Sequence, residues 1–168
     1  FTLCVHAGDR DLCYVERLEA GLRAALAAPA PGSRSPWTDA EVVNAGVSGD
    51  TSAGGLSRLD WSLAGDVQIL VIELGANDGL RGLPVAGLKQ NLTEIITRAR
   101  ARGIGVVLTG MEAPPNFGPA YTSEFREVYR QLAREHDVTF VPFYLQDVAG
   151  IPSLNLSDGI HPNEEGSR

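Results

Sequence analysis

Residues 67–74 read VQILVIEL, an apolar run broken only at Gln68 and Glu73. That run constrains the fold more than any other stretch. It is far too short for a membrane span, which needs about 20 residues. It is also too continuous for a strand with one wet face, where polar residues would alternate. It reads as a parallel strand covered on both faces. A parallel strand returns to its sheet only through a crossover, usually a helix. The rest of the chain should therefore supply helices between further short strands.

The remaining sequence has that alternation. Residues 1–7 (FTLCVHA) read as a first strand and residues 11–28 as a helix, with Leu12, Val15, Leu18, Leu22 and Leu26 at helical spacing. Residues 29–36 (PAPGSRSP) form a loop, and residues 41–43 a short second strand. Asp50 or Thr51 can cap a helix running to about Ala64. Pro84 suits the first turn of a helix ending near Arg102, with Gly103 beyond it. Residues 105–109 (GVVLT) read as a buried strand, residues 122–136 as a helix and residues 139–142 (TFVP) as a fifth strand. Strands alternating with helices give an α/β fold, a three-layer α/β/α sandwich on a parallel sheet. Ligands bind such sheets at the carboxyl ends of the strands. Here those ends are the loops after Ala7, Val43, Leu74, Thr109 and Pro142.

At 168 residues the chain suffices for one domain, burying roughly 70% of its unfolded surface. Its net charge of −7 repels nucleic acid and anionic membrane, and no basic run offsets it. Cys4 and Cys13 form no metal-ligand spacing; a disulfide between them is one alternative, and Cys4 in its apolar run reads by default as a buried free thiol. No apolar stretch is long enough to span a membrane. The chain shows no signal peptide and no initiating Met, which reads as a processed or trimmed product.

Three of the strand-end loops carry chemistry. NAGVSGDT (residues 44–51) lets backbone approach a ligand, with the Gly49 N–H available to the cleft; the plainer reading is a strand-to-helix turn. GANDG (residues 75–79) puts the Asn77 amide donor at the mouth of the sheet; alternatively Asn77 and Asp78 only form a turn. DGIHP (residues 158–162) sets a carboxylate three residues before an imidazole. Asp158 there can bond the His161 Nδ1–H and leave Nε2 as a base, although short loops also bring Asp and His together by chance.

Taken together, NAGVSGDT, ELGANDG and DGIHP resemble the sequence blocks of SGNH (GDSL-type) hydrolases, nearest to the small bacterial thioesterase I, arylesterase and lysophospholipase enzymes. TGMEAPPNFGPAYTSEF (residues 109–125) and NLTEIITRARARG (residues 91–103) are similar to the same group. The resemblance implies a single flavodoxin-like domain over residues 1–168. It implies a soluble protein of the bacterial cytoplasm or periplasm, needing no metal or organic cofactor. It matches Gly49 and Asn77 to the oxyanion donors, and Asp158 and His161 to the acid and base of a catalytic triad.

The family nucleophile, a serine in a GDS motif after the first strand, has no counterpart. Gly8 and Asp9 are present, but Arg10 follows, and a guanidinium stays protonated. The GDS loop thus reads as altered and shortened, and the chain stops before the family's last helix is complete. Ser48, Ser157 and Cys4 are poor substitutes: GVSGD lacks the GxSxG elbow, Ser157 is only adjacent to Asp158 in sequence, and Cys4 lies inside a strand. His6 and His136 read as structural. The expected substrate is a small acyl or aryl ester, or a thioester, cleaved through an acyl-enzyme. The alternative is an acyl-binding module that has lost turnover. A receiver or nucleotide domain would need acidic clusters or a phosphate-cradling glycine loop at the first strand end; Asp9 and Asp11 hint at acids, but no GxGxxG or phosphate loop occurs.

Overall fold

The computed structural model describes residues 14–28 and 37–167. The expected first strand, the Gly8–Asp9–Arg10 segment, both cysteines, His6 and the loop at 29–36 lie outside the described residues. The chain divides into two compact units. One is Val47–Gln146; the described residues of the other are 14–28, 37–46 and 147–167.

The first unit is built on a parallel sheet of three strands in the order β1 (Ile69–Ile72), β2 (Gly105–Thr109) and β3 (Thr139–Val141). Ile72 pairs with Leu108, and Thr109 with Val141. Helix α5 (Val85–Ala101) connects β1 to β2, and α6 (Pro119–His136) connects β2 to β3. Parallel neighbours joined through helices are the α/β arrangement that the apolar runs predict.

Spacing explains the core. On α5, Leu88, Leu92, Ile95, Ile96 and Ala99 share one face and are fully buried. On α6 the corresponding face is Phe125, Val128, Tyr129, Leu132 and Ala133. Both faces join one cluster with Leu70, Ile72, Val106 and Leu108 of the sheet. Burying each of the Leu, Ile, Val and Phe side chains contributes about 1.5–3 kcal/mol.

Among the described residues of this unit, the two faces of the sheet differ. Ile69 and Val71 of β1 are 45% and 40% exposed, whereas Ile72 on the same strand is buried. The reason is that α5 and α6 pack the same side, that of Ile72 and Leu108.

Two helices also differ from the sequence reading. The helix expected to run on to about Ala64 is broken into α2 (Ser52–Ser57) and α3 (Leu59–Ser62). Thr51 is the cap, its Oγ1 accepting the Gly54 N–H at 3.2 Å. Arg58 interrupts the helix at φ −107° and turns its guanidinium to Asp50 at 2.6 Å and Ser62 Oγ at 3.1 Å. Helix α6 starts at Pro119 rather than Thr122, because proline is at home in a first turn whose N–H groups lack partners.

In the second unit, α1 (Tyr14–Ala27) sits within the expected helix, with Val15 buried and Leu22 exposed. No strand forms at residues 41–43. Side chains of α1 take the backbone groups that a ladder would use. Glu19 accepts the Val42 N–H at 2.8 Å, and Arg23 Nε donates to the Ala40 carbonyl at 2.8 Å. The segment 147–167 is a loop structure organised by two asparagines. Asn155 donates to the carbonyls of Val148 and Ile151, and Asn163 accepts from the N–H groups of Glu165 and Gly166.

Candidate active site

The first unit carries Gly49 and Asn77. Strand β1 runs out into Gly75, at φ +113°, which opens the short helix α4 (Ala76–Leu80). A Cβ at Gly75 would stand 1.9 Å from Tyr129 Oη, whose hydroxyl donates to the Leu74 carbonyl at 2.9 Å. Only glycine fits there, on both backbone and contact grounds. GANDG is therefore a helical turn rather than an open loop. Asn77 is part-buried, and its Nδ2 donates to the Asp50 carbonyl at 2.9 Å. One amide hydrogen is committed by that bond; an amide has two.

Gly49 lies on an exposed turn closed by the Asp50 N–H and the Val47 carbonyl at 3.2 Å. Its φ is +78°, again a conformation that favours glycine. Its carbonyl accepts from Arg81 Nη2 at 2.9 Å. Ser48 is exposed on the same turn.

Beneath these groups is a buried polar network. Asp78, 3% exposed, accepts the Ser52 N–H at 2.8 Å on one oxygen and the Ser52 hydroxyl at 2.6 Å on the other. Asn91 Nδ2 donates to the same hydroxyl at 2.9 Å. Sequence reasoning missed Ser52, Asp78 and Arg81. Ser52 was absorbed into the helix start behind Thr51, and Asp78 into a turn; their pairing is a long-range contact without a local signal.

The second unit carries Asp158 and His161. A tight hairpin brackets them: Asn155 bridges Pro162, and the Leu156 N–H donates to the His161 carbonyl at 2.7 Å. Asp158 Oδ1 accepts the backbone N–H groups of Ile160 at 2.9 Å and His161 at 3.0 Å. Its Oδ2 is 2.7 Å from His161 Nδ1. The backbone bond from His161, then that from Ile160, then the imidazole bond hold the Asp158 carboxyl down at about 2. It is an anion throughout the physiological range. An imidazole that gives its Nδ1–H to such an anion has Nε2 as its basic nitrogen. Ser157 is exposed beside it.

The sequence profile of the GDSL-like lipase/acylhydrolase family matches residues 6–168. The chain belongs to that family. Esterase TesA of Pseudomonas aeruginosa is 50% identical to this GDSL-like chain over 125 residues, 74% of the chain and 62% of that protein. The chain thus spans less than two thirds of that relative's length. Thioesterase 1/protease 1/lysophospholipase L1 of Escherichia coli K12 is 36% identical over 162 residues, 95% of the chain and 78% of that protein. Among solved structures, a crystal structure of TesA superposes with a TM-score of 0.85 at 40% identity, covering 99% of this chain and 86% of that one. The fold is therefore the α/β fold of GDSL-like hydrolases, as the strand-end motifs imply. Among the described residues, no helix of this family member is long and apolar enough to cross a membrane.

Proposed function

We propose that this GDSL-like protein hydrolyses small carboxylic esters or thioesters. The observation that carries the reading is the Asp158–His161 pair, in which a carboxylate fixed by two backbone N–H groups meets Nδ1 at 2.7 Å. An imidazole held this way is a general base with its tautomer set. Its relatives named esterase and thioesterase agree with that chemistry.

In this reading His161 Nε2 takes the proton of an attacking hydroxyl as its oxygen bonds to the ester carbonyl. The Gly49 N–H and the second Asn77 amide hydrogen stabilise the resulting oxyanion, a contribution of about 3–4 kcal/mol per donor where measured. The proton then passes from His161 to the departing alcohol or thiol. If the attacker is a side chain, water repeats the cycle and frees the acid.

A second reading is favoured by one observation: Arg10 stands after Asp9, where the family serine belongs. On that reading the chain binds acyl groups without turnover. Steady hydrolysis of p-nitrophenyl acetate, lost in His161→Ala, supports the enzyme. No release of p-nitrophenol from the natural chain, with release appearing on Arg10→Ser, supports the binding module. Absence of release from both, together with no binding of a short fatty acid, defeats both readings.

A further inference from the structure

We propose that Asp78 and Arg81 are positioning residues for the Gly49 N–H, an inference that rests on the ester-hydrolysis reading above. An oxyanion donor is effective only if its direction is fixed before the reaction. Gly49 has no side chain to fix it, and at φ +78° it sits in an exposed turn. Three groups that hold the turn and the residues after it come from α4 and the residue following it, beside the Arg58 guanidinium on the Asp50 carboxylate at 2.6 Å. Asn77 holds the Asp50 carbonyl at 2.9 Å, Asp78 holds Ser52 through both carboxylate oxygens, and Arg81 holds the Gly49 carbonyl at 2.9 Å.

The three contacts divide the work. Asp78 and Ser52 are both buried, so their bonds are sheltered from water. A buried carboxylate is costly unless its lone pairs are met, which Ser52 does through its N–H and its hydroxyl. Asn91 donates to Ser52 Oγ at 2.9 Å, and this leaves the hydroxyl proton to point at Asp78. That anchor sets the distance between the two loops. Arg81 then acts on the glycine itself: gripping its carbonyl fixes the peptide that follows the Gly49 Cα, which limits the rotation left to the Ser48–Gly49 peptide that carries the donor N–H. Arg81 is exposed, so it contributes to the site's geometry without being part of the core.

The test compares the full natural chain with Arg81→Gln, Ser52→Ala and Asp78→Asn. Two readouts are taken: the ¹H–¹⁵N resonance and hydrogen exchange of the Gly49 amide, and kcat and KM on p-nitrophenyl acetate. Arg81→Gln should shift the Gly49 resonance and speed its exchange. It should lower kcat about tenfold or more with KM within about twofold, since a misaimed donor is lost in the transition state and not in binding. Ser52→Ala should move both readouts in the same direction. An unmoved Gly49 resonance in both Arg81→Gln and Ser52→Ala overturns the inference, as does a rise in KM at constant kcat. If the natural chain turns over no ester, the hydrolysis reading fails and the Gly49 amide alone decides the positioning. If Asp78→Asn does not fold, the other two variants carry the test.

Discussion

Asp158 grips His161 at two points: one carboxylate oxygen takes the backbone N–H at 3.0 Å and the other meets ring Nδ1 at 2.7 Å. The backbone contact locks the loop, and the ring contact sets the imidazole within it. Two interactions from one carboxylate make the orientation of His161 a property of the hairpin rather than of a distant element.

This arrangement predicts how the hairpin responds to acid. The Asp158 carboxyl is depressed from 3.8 to about 2, so its stabilisation is complete above about pH 4 and disappears as pH falls through about 2. A ¹³C titration of the Asp158 carboxyl should show a midpoint near 2. Loss of ester turnover between pH 7 and 5 would then belong to another group. Asp158→Asn should keep the fold, because the residue is exposed, yet lower kcat by about 10³-fold or more by permitting the wrong tautomer. A midpoint near 4 refutes the double grip.

Tyr129 predicts the alkaline limit. Burial, then the nearby Asp78 charge, push its phenol well above 10.0. Folding therefore opposes its ionisation. The stabilisation it lends is intact below pH 10 and is lost as pH climbs towards the raised value. Tyr129→Phe should cost about 1–3 kcal/mol at pH 7 by leaving the Leu74 carbonyl without its donor. In urea unfolding, the difference between natural chain and variant should narrow above pH 10; a constant difference would contradict the burial of the phenol.

The two faces of the sheet predict unequal sensitivity. Leu108 is fully buried, whereas Val71 on the adjacent strand is 40% exposed. Leu108→Ala should cost about 2–5 kcal/mol, and Val71→Thr about 1 kcal/mol or less. Equal losses in urea melts would contradict this difference in burial.

Helix α5 and strand β2 were legible because each announces itself locally. The α5 stripe repeats every three to four residues between Pro84 and Gly103, and GVVLT has the bounds expected. Asp158 and His161 were legible for the same reason, being three residues apart. Val43 shows the limit: valine favours strands, but Glu19 and Arg23 of α1 took the neighbouring backbone groups. The break at Arg58 and the burial of Asp78 were equally hidden. Both follow from partners elsewhere in the chain, Asp50 and Ser52, that periodicity cannot supply.

Helix α4 spans only five residues, yet it and the residue after it supply all the bonds that hold Gly49, Asp50 and Ser52 to it. Each helical residue advances about 100° around its axis. Deleting or inserting a single residue between Gly75 and Asp78 would swing Asp78 and Arg81 off their targets together. Point changes in this turn can be graded, but length changes cannot. Drift in this family member is thus expected to respect the length of that turn more strictly than its composition.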